Sequence, residues 1–351
     1  MNLKKLSVTA LSLTLSLGLL AGCSGKPAVS TGSPAPSPSA TPSQSAPAES
    51  GGAVKTGLSL VTSVAKSKDA SAEGDGQAQA NVSLVAVTVG DDGVIDAIQA
   101  KIGFDAAGKL TTDLATSFAS KNELGTDYGM GKASSIGKEW NEQAAAMAEY
   151  AVGKTVEELK GVAVNADGQA TDADLAASVT LSITDFIAGI ERAVNNAEHL
   201  GARKGDKLAL TSVTNMAKSK DASAEGDGLA QAYATVAAVT LNGDTVTSCF
   251  IDAVQANVKF DAAGKITTDL TAAQPSKNEL GDAYGMKKAS SIGKEWYEQA
   301  AAFSAYVTGK TVSEVSGIAV DDHESPTDAD LAASVTIGIG EFQTLIEKAA
   351  V

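Results

Sequence analysis

Between residues 58 and 104 the chain alternates apolar and polar positions in three runs, at 58–64, 80–89 and 94–104. A period of two places every second side chain on one face, so each run reads as a strand with a buried side. Gly74-Asp-Gly76 and Asp91-Asp-Gly93 separate the runs and read as turns. Three strands joined in this way make an antiparallel meander. The period then lengthens. Ile136, Trp140, Ala144, Met147 and Ala151 fall on one face of a helix that the pattern starts near Ser135. Thr155-Val-Glu-Glu158 fits a capping box, in which hydroxyl and carboxylate each accept from the other residue's backbone amide. A last amphipathic helix from about Ser182 buries Ile183, Phe186, Ile187, Ile190 and Val194. Grouped strands followed by grouped helices predict an α+β fold, a small antiparallel sheet with helices packed on it.

The same text is written twice. Residues 65–76 recur at 217–228, Phe104-Asp-Ala-Ala-Gly-Lys109 recurs at 260–265, and residues 132–140 recur at 288–296. The offset of 152 (65 to 217) grows to 156 (104 to 260), so copy two holds four extra residues, placed around 242–248. Ile292, Trp296, Ala300, Phe303 and Val307 repeat the helical face, and Thr311-Val-Ser-Glu314 repeats the capping box. A period near 150 is a tandem domain pair and not a solenoid. Residues 55–200 and 201–351 are each long enough for a core of their own.

Ahead of the repeats, Lys4 and Lys5 precede an apolar run over 6–20 that closes on Leu20-Ala-Gly-Cys23. The run is too short for a permanent membrane span. Its order of parts is that of a secretory signal, and the tetrapeptide resembles the bacterial lipobox. On this reading residues 1–22 are removed and Cys23 carries the lipid, which anchors a bacterial protein to the cell membrane on its extracytoplasmic face. Residues 23–54 are rich in Pro, Ser and Ala and form a tether. With 27 basic and 42 acidic residues the formal charge is −15, and losing Lys4 and Lys5 takes it to about −17. Such a chain repels phosphate backbones, so nucleic acid is excluded as a partner. Cys249 is the one remaining cysteine, in an apolar stretch, and reads as a packed thiol. His199 and His323 stand at non-equivalent places, so no metal site of His and Cys type is expected.

Three short motifs invite chemistry and fail. Gly153-Lys154-Thr155 resembles the end of a phosphate loop, but position 148 is Ala, not Gly, and a helix precedes it. Ser135-Ile-Gly-Lys138 matches a Ser-x-x-Lys pair without the accompanying Ser-Asp-Asn element. The loop with Asp69, Glu73 and Asp75 lacks calcium-binding spacing and reads as a solvated hairpin loop. No catalytic residue is assigned.

One further segment is shared: Thr171-Asp-Ala-Asp-Leu-Ala-Ala-Ser178, repeated from Thr327 to Ser334. In one reading Thr171 caps a short helix with Asp174 in its first turn. In the other, Ser178 and Ser334 are hydroxyl acceptors in a tight turn, where small neighbours admit a phosphate ester and the following helix N-terminus stabilises its charge.

Taken as a whole, each copy resembles the FMN-binding domain family, which occurs in flavinylated lipoproteins and in a subunit of the sodium-pumping NADH:quinone reductase. The likeness runs over about 55–197 and 207–351. It rests on Val85-Ala-Val-Thr-Val89, Asp92-Gly-Val-Ile95 and the closing segment, with Ala237-Ala-Val-Thr-Leu241 in copy two. The resemblance implies that Asp172 and Asp328 match the motif's aspartate and Ala177 and Ala333 its alanine. Ser178 and Ser334 match the residue that takes FMN as a phosphoester. Leu175 and Ala176 depart from the motif's hydroxyl residue and glycine, as do Leu331 and Ala332. The resemblance further implies a flavin transferase and a membrane redox partner, with electrons carried between them. Trp140, Tyr128 and Met130, with Trp296, Tyr284 and Met286, either stack on the flavin ring or belong to the core. The alternative is a non-redox cell-surface binding or structural lipoprotein with degenerate domains of this kind.

Overall fold

The computed structural model describes residues 51–351; the expected signal peptide, Cys23 and most of the expected tether lie outside the described residues. Copy one opens with β1 (Thr56–Ser63), β2 (Gly76–Thr88) and β3 (Asp92–Phe104), paired antiparallel in the order β1-β2-β3. The chain continues through α1 (Lys121–Leu124), α2 (Trp140–Ala151), α3 (Val156–Lys160), α4 (Ala173–Ala176) and α5 (Thr184–Asn195). Copy two repeats this with β4 (Lys207–Asn215), β5 (Gly228–Asn242) and β6 (Thr245–Phe260), ordered β4-β5-β6. Its helices are α6 (Lys277–Leu280), α7 (Trp296–Val307), α8 (Val312–Ser316), α9 (Ala329–Ala332) and α10 (Gly340–Ala349). The expected α+β architecture, with two tandem sheets and helices packed on them, is the architecture observed.

Alternation decides which way each strand side chain points, and both faces are apolar. On β2, Val85 and Val87 meet α2 and α5 through Trp140, Met147, Phe186 and Ile187. Val82, Leu84 and Ala86 face the other way, onto Leu208, Ala234, Val236 and Ala238 of copy two. The two sheets therefore pack face to face with a helical layer outside each, and the described residues fall in one compact unit. Each copy has its own helix–sheet core, as its length predicts, and in addition shares the core between the sheets.

The contact between copies is reciprocal. Phe104 and Phe260 stack, ring centroids 4.2 Å apart and planes within 5°. Asp69 accepts from the Ile266 amide at 2.7 Å, and its counterpart Asp221 accepts from the Leu110 amide at 2.9 Å. Ala70 N–H donates to Gly264 O and Ala222 N–H to Gly108 O, both at 2.8 Å. Arg192 pairs with Glu279 at 3.2 Å, and Lys348 pairs with Glu123 at 2.5 Å. Each of these contacts made by one copy is returned by the other, the signature of a two-fold interface. The acidic loop at 65–76, expected to be a solvated hairpin, is thus half of a latch: Glu73 and Asp75 face solvent while Asp69 is docked.

Several local expectations need correction. The helix expected from Ser135 begins at Trp140: Gly137 takes φ +67°, and Glu139 caps the helix reciprocally with Glu142. The first hairpin turns at Val89-Gly90-Asp91, with Gly90 at φ +83°, so Asp92 and Gly93 already belong to β3. The four extra residues of copy two lie where expected. They lengthen the β5–β6 hairpin to a turn at Gly243 and Asp244 and add a bulge at Thr240/Leu241. Both Thr capping boxes are present as the sequence implies.

Candidate functional site: a cleft repeated in both copies

On the outer side of each sheet, the edge strand and the long helix above it diverge. In copy one the gap is a cleft of about 570 Å3, bounded by the start of β3, Asn122 of α1, and Asn141, Ala145 and Ala148 of α2. In copy two it is about 540 Å3, bounded by Cys249, Phe250 and Ile251 of β6, Asn278 of α6, and Tyr297, Ala301 and Ser304 of α7. Asn122 and Asn278 are equivalent at the offset of 156, as are Asn141 and Tyr297, and Ala148 and Ser304. The duplication has carried the cleft with it.

The asparagine at each floor is fixed by its own fold. Ser120-Lys-Asn-Glu123 forms a capping box that starts α1, and Ser276-Lys-Asn-Glu279 does the same for α6. The Asn122 amide N–H donates to Asp96 Oδ1 at 2.9 Å, and its side-chain Nδ2 donates to Ile95 O at 3.0 Å. Asn278 repeats both bonds, to Asp252 at 3.0 Å and to Ile251 O at 2.9 Å. Because Nδ2 is held by a carbonyl, the side-chain orientation is set, and Oδ1 is left over. In both copies that Oδ1 is buried with no hydrogen-bond partner among the described residues. Asn141 Oδ1, lining the copy-one cleft, is also buried and unpartnered, while Ser304 in the copy-two cleft lies within hydrogen-bond reach of the Cys249 thiol. A buried acceptor without a donor costs free energy, so the three amide oxygens call for a partner from outside the chain.

Beneath each asparagine lies a buried carboxylate. Asp96 and Asp252 are 3% and 6% exposed. Burial pushes both carboxyls up to about 6, against the pull of hydrogen bonds from Ser120 and Ser276 and from the backbone. Cys249 is buried too, and burial pushes its thiol up to about 12, which leaves it inert as a nucleophile.

Beside the clefts, each copy holds a lysine against its aromatic rings. Lys277 Nζ lies 4.6 Å from the Trp296 ring, 4.7 Å from Tyr233 and 4.8 Å from Tyr284, and donates to Tyr233 Oη at 2.9 Å. Burial lowers its ammonium to about 8, while Glu341 and Asp252 act in the opposite direction. In copy one Lys121 lies 4.5 Å from Tyr128 and 4.8 Å from Trp140, and Asn81 stands where copy two has Tyr233. Trp140 and Trp296 also meet Phe186 and Phe342 edge-on, and Met130 and Met286 pack on the cores. Of the two readings of these residues, the core reading describes what they contact.

The closing segment forms a single helical turn capped by Asp172, not Thr171, with Asp172 Oδ1 accepting from Asp174 and Leu175 N–H at 3.1 Å. Thr171 instead donates to Ala163 O. Asp328 and Thr327 repeat this. Ala177 and Ala333 are the C-cap residues, and Ser178 and Ser334 follow them, half-buried. Among the described residues neither hydroxyl makes a hydrogen bond. Their surroundings are separate from the clefts. Neither serine lines the two clefts, the cap carboxylates are engaged, and Ala176 and Ala332 lie in the helical turn that leads into the serine. The next helix begins only at Thr184.

Sequence reasoning missed Asn122 and Asn278. The available signal was the hexapeptide Ser-Lys-Asn-Glu-Leu-Gly at 120–125 and 276–281, whose capping box explains its serine and glutamate but not its asparagine.

No family model matches the chain, and no solved structure matches it. A 40-residue stretch, 11% of the chain, is 55% identical to part of a chlorophenol reductase of Desulfitobacterium hafniense and spans 12% of that protein. Among the described residues no helix is long and apolar enough to cross a membrane.

Proposed function

We propose that the chain is a lipid-anchored, extracytoplasmic binding protein whose two clefts, at Asn122 and Asn278, each hold a small hydrogen-bond-donating ligand. The observation that carries this reading is the unmet amide oxygen, fixed in the same orientation at the same place in both copies. Small-molecule sites are concave, mostly apolar and furnished with a few oriented polar groups, and both clefts have that make-up. Labelling the full chain with 15N-asparagine gives side-chain signals for both residues. Amides, amines and alcohols at millimolar concentration should move the Asn122 or Asn278 signal saturably while exposed asparagines stay put. A set of such donors that moves neither signal would reject the reading.

A second reading is a carrier of electrons through FMN esterified to Ser178 and Ser334. The free, matched hydroxyls favour it. The 40-residue likeness to a chlorophenol reductase covers too little of either protein to carry a reaction. Bound flavin would supply the redox chemistry, and these residues would supply only the point of attachment. Co-expression with a flavin transferase, followed by denaturation, decides it: flavin absorbance that stays with the chain supports the carrier, and a colourless chain rejects it.

A further inference from the structure

We propose that the copy-one cleft takes an organic ammonium, a primary amine in its protonated form; this rests on reading the clefts as binding sites. The cleft is lined by Asp91, Asp92 and Glu149, and by no lysine or arginine. None of the three carboxylates takes part in an ion pair among the described residues. Asp91 Oδ2 accepts from the Gly205 amide at 2.7 Å, and Asp91 and Asp92 also line an adjoining hollow with Lys154, whose Nζ donates to Tyr150 O at 2.8 Å. Two buried, unpartnered acceptors, Asn122 Oδ1 and Asn141 Oδ1, complete the lining. Every unmet group there thus asks for a donor, and the surrounding charge asks for a cation. An ammonium supplies three donors and one positive charge.

Among the described residues no three His, Cys, Asp or Glu side chains converge on a point that would hold a metal ion. The carboxylates are spread along a cleft, which suits an extended amine better than a compact ion. Copy two makes the contrast. Tyr297 replaces Asn141, Ser304 replaces Ala148, and the lining holds one carboxylate, Glu198, beside His199, where the copy-one cleft has three. The pull on a cation is weaker there.

The test titrates full-length, 15N-asparagine-labelled protein with 1,4-diaminobutane and, separately, with 1,4-butanediol. The diamine should move the Asn122 signal with an affinity about tenfold tighter than the diol, and the gap should shrink as salt is raised. Asp92→Asn with Glu149→Gln should close the gap without lowering Tm. Asn141→Tyr, which installs copy two's residue, should abolish the Asn122 response. Equal affinity for diamine and diol at Asn122, or a diamine preference for Asn278, would overturn the ammonium assignment and leave the cleft standing. Neither probe moving either asparagine would overturn both.

Discussion

Asp252 makes stability depend on pH in a direction opposite to that of most carboxylates, and replacing it by Asn removes that dependence. The Asp252 carboxyl is pushed from an ordinary 3.8 to about 6. A group raised in the folded state holds its proton more tightly there than in the unfolded chain. Stability is therefore highest below 3.8, where both states are protonated, and falls as pH rises toward 6. Above 6 the full cost is present: from 3.8 to about 6, at 1.36 kcal/mol per pH unit, is about 3 kcal/mol. Asparagine keeps the oxygen that accepts from Ala253 N–H at 2.7 Å and Asn278 N–H at 3.0 Å, and carries no charge to bury. The measurement is urea unfolding followed by the fluorescence of Trp140 and Trp296, each 4% exposed, for wild type and variant. At pH 3.5 the two should be about equally stable, and at pH 7.5 Asp252→Asn should be more stable by up to about 3 kcal/mol. Asp96→Asn should behave alike, since its carboxyl is also pushed to about 6. A difference that stays constant between these pH values would refute the claim that burial, and not packing, dominates at Asp252.

Four further outcomes follow from the same geometry. Phe260→Ala removes half of the ring stack at the pseudo-two-fold and should cost about 3–5 kcal/mol in unfolding experiments, with Phe104→Ala added to it costing less than the sum of the two. Gly264→Ala should destabilise by more than about 1 kcal/mol, because its φ is +68° and a Cβ would stand 2.5 Å from Asp105 O. Ser178→Ala with Ser334→Ala should leave Tm unchanged, within about 0.5 kcal/mol, since neither hydroxyl holds a hydrogen bond. Cys249, 1% exposed and with its thiol at about 12, should react with an aromatic disulfide only as fast as the domain unfolds.

The fold was largely legible because its signals are local. Strand alternation, the Thr155 and Thr311 capping boxes and the hairpin insertion depend on neighbours a few residues away. What misled was text whose partner lies in the other copy. Asp69 looks like a solvated loop residue until the Ile266 amide, 197 positions on, is seen to donate to it. Alternation also hid the second buried face of each sheet: Ala78, Ala80, Ala230 and Ala232 are small enough to read as neutral, yet they are core residues between the sheets. Ile136 keeps the helical period and extends the pattern of α2 toward Ser135, while the glycine after it takes a conformation that ends any helix begun there. The clefts were not legible at all, because an unmet amide oxygen is a property of what surrounds Asn122 and not of its spacing.

The pseudo-two-fold also explains which residues the copies share and which they do not. A self-complementary contact needs the same side chains on both sides. Phe104 meets its own repeat there, and the loop at 65–76 meets the other copy's 264–266 segment as 217–228 meets 108–110; the 104–109 segment and the loop are identical in the two copies. A change on one side of such a contact must fit an unchanged partner, so the interface resists divergence. The clefts lie on the outer side of each sheet, and their contacts with the other copy, Gly205 N–H on Asp91 and the wall of Glu198 to Leu200 beside Cys249, are not reciprocal. At these places the copies differ: Asn141 against Tyr297, Ala148 against Ser304, Gly93 against Cys249, with the floor asparagine and its buried aspartate retained. At the contact and at the floors, shared residues report how the pair is held together and how each floor is built. Differing residues along the walls report what each cleft selects, and for this chain they point to two sites of one design and unlike preference.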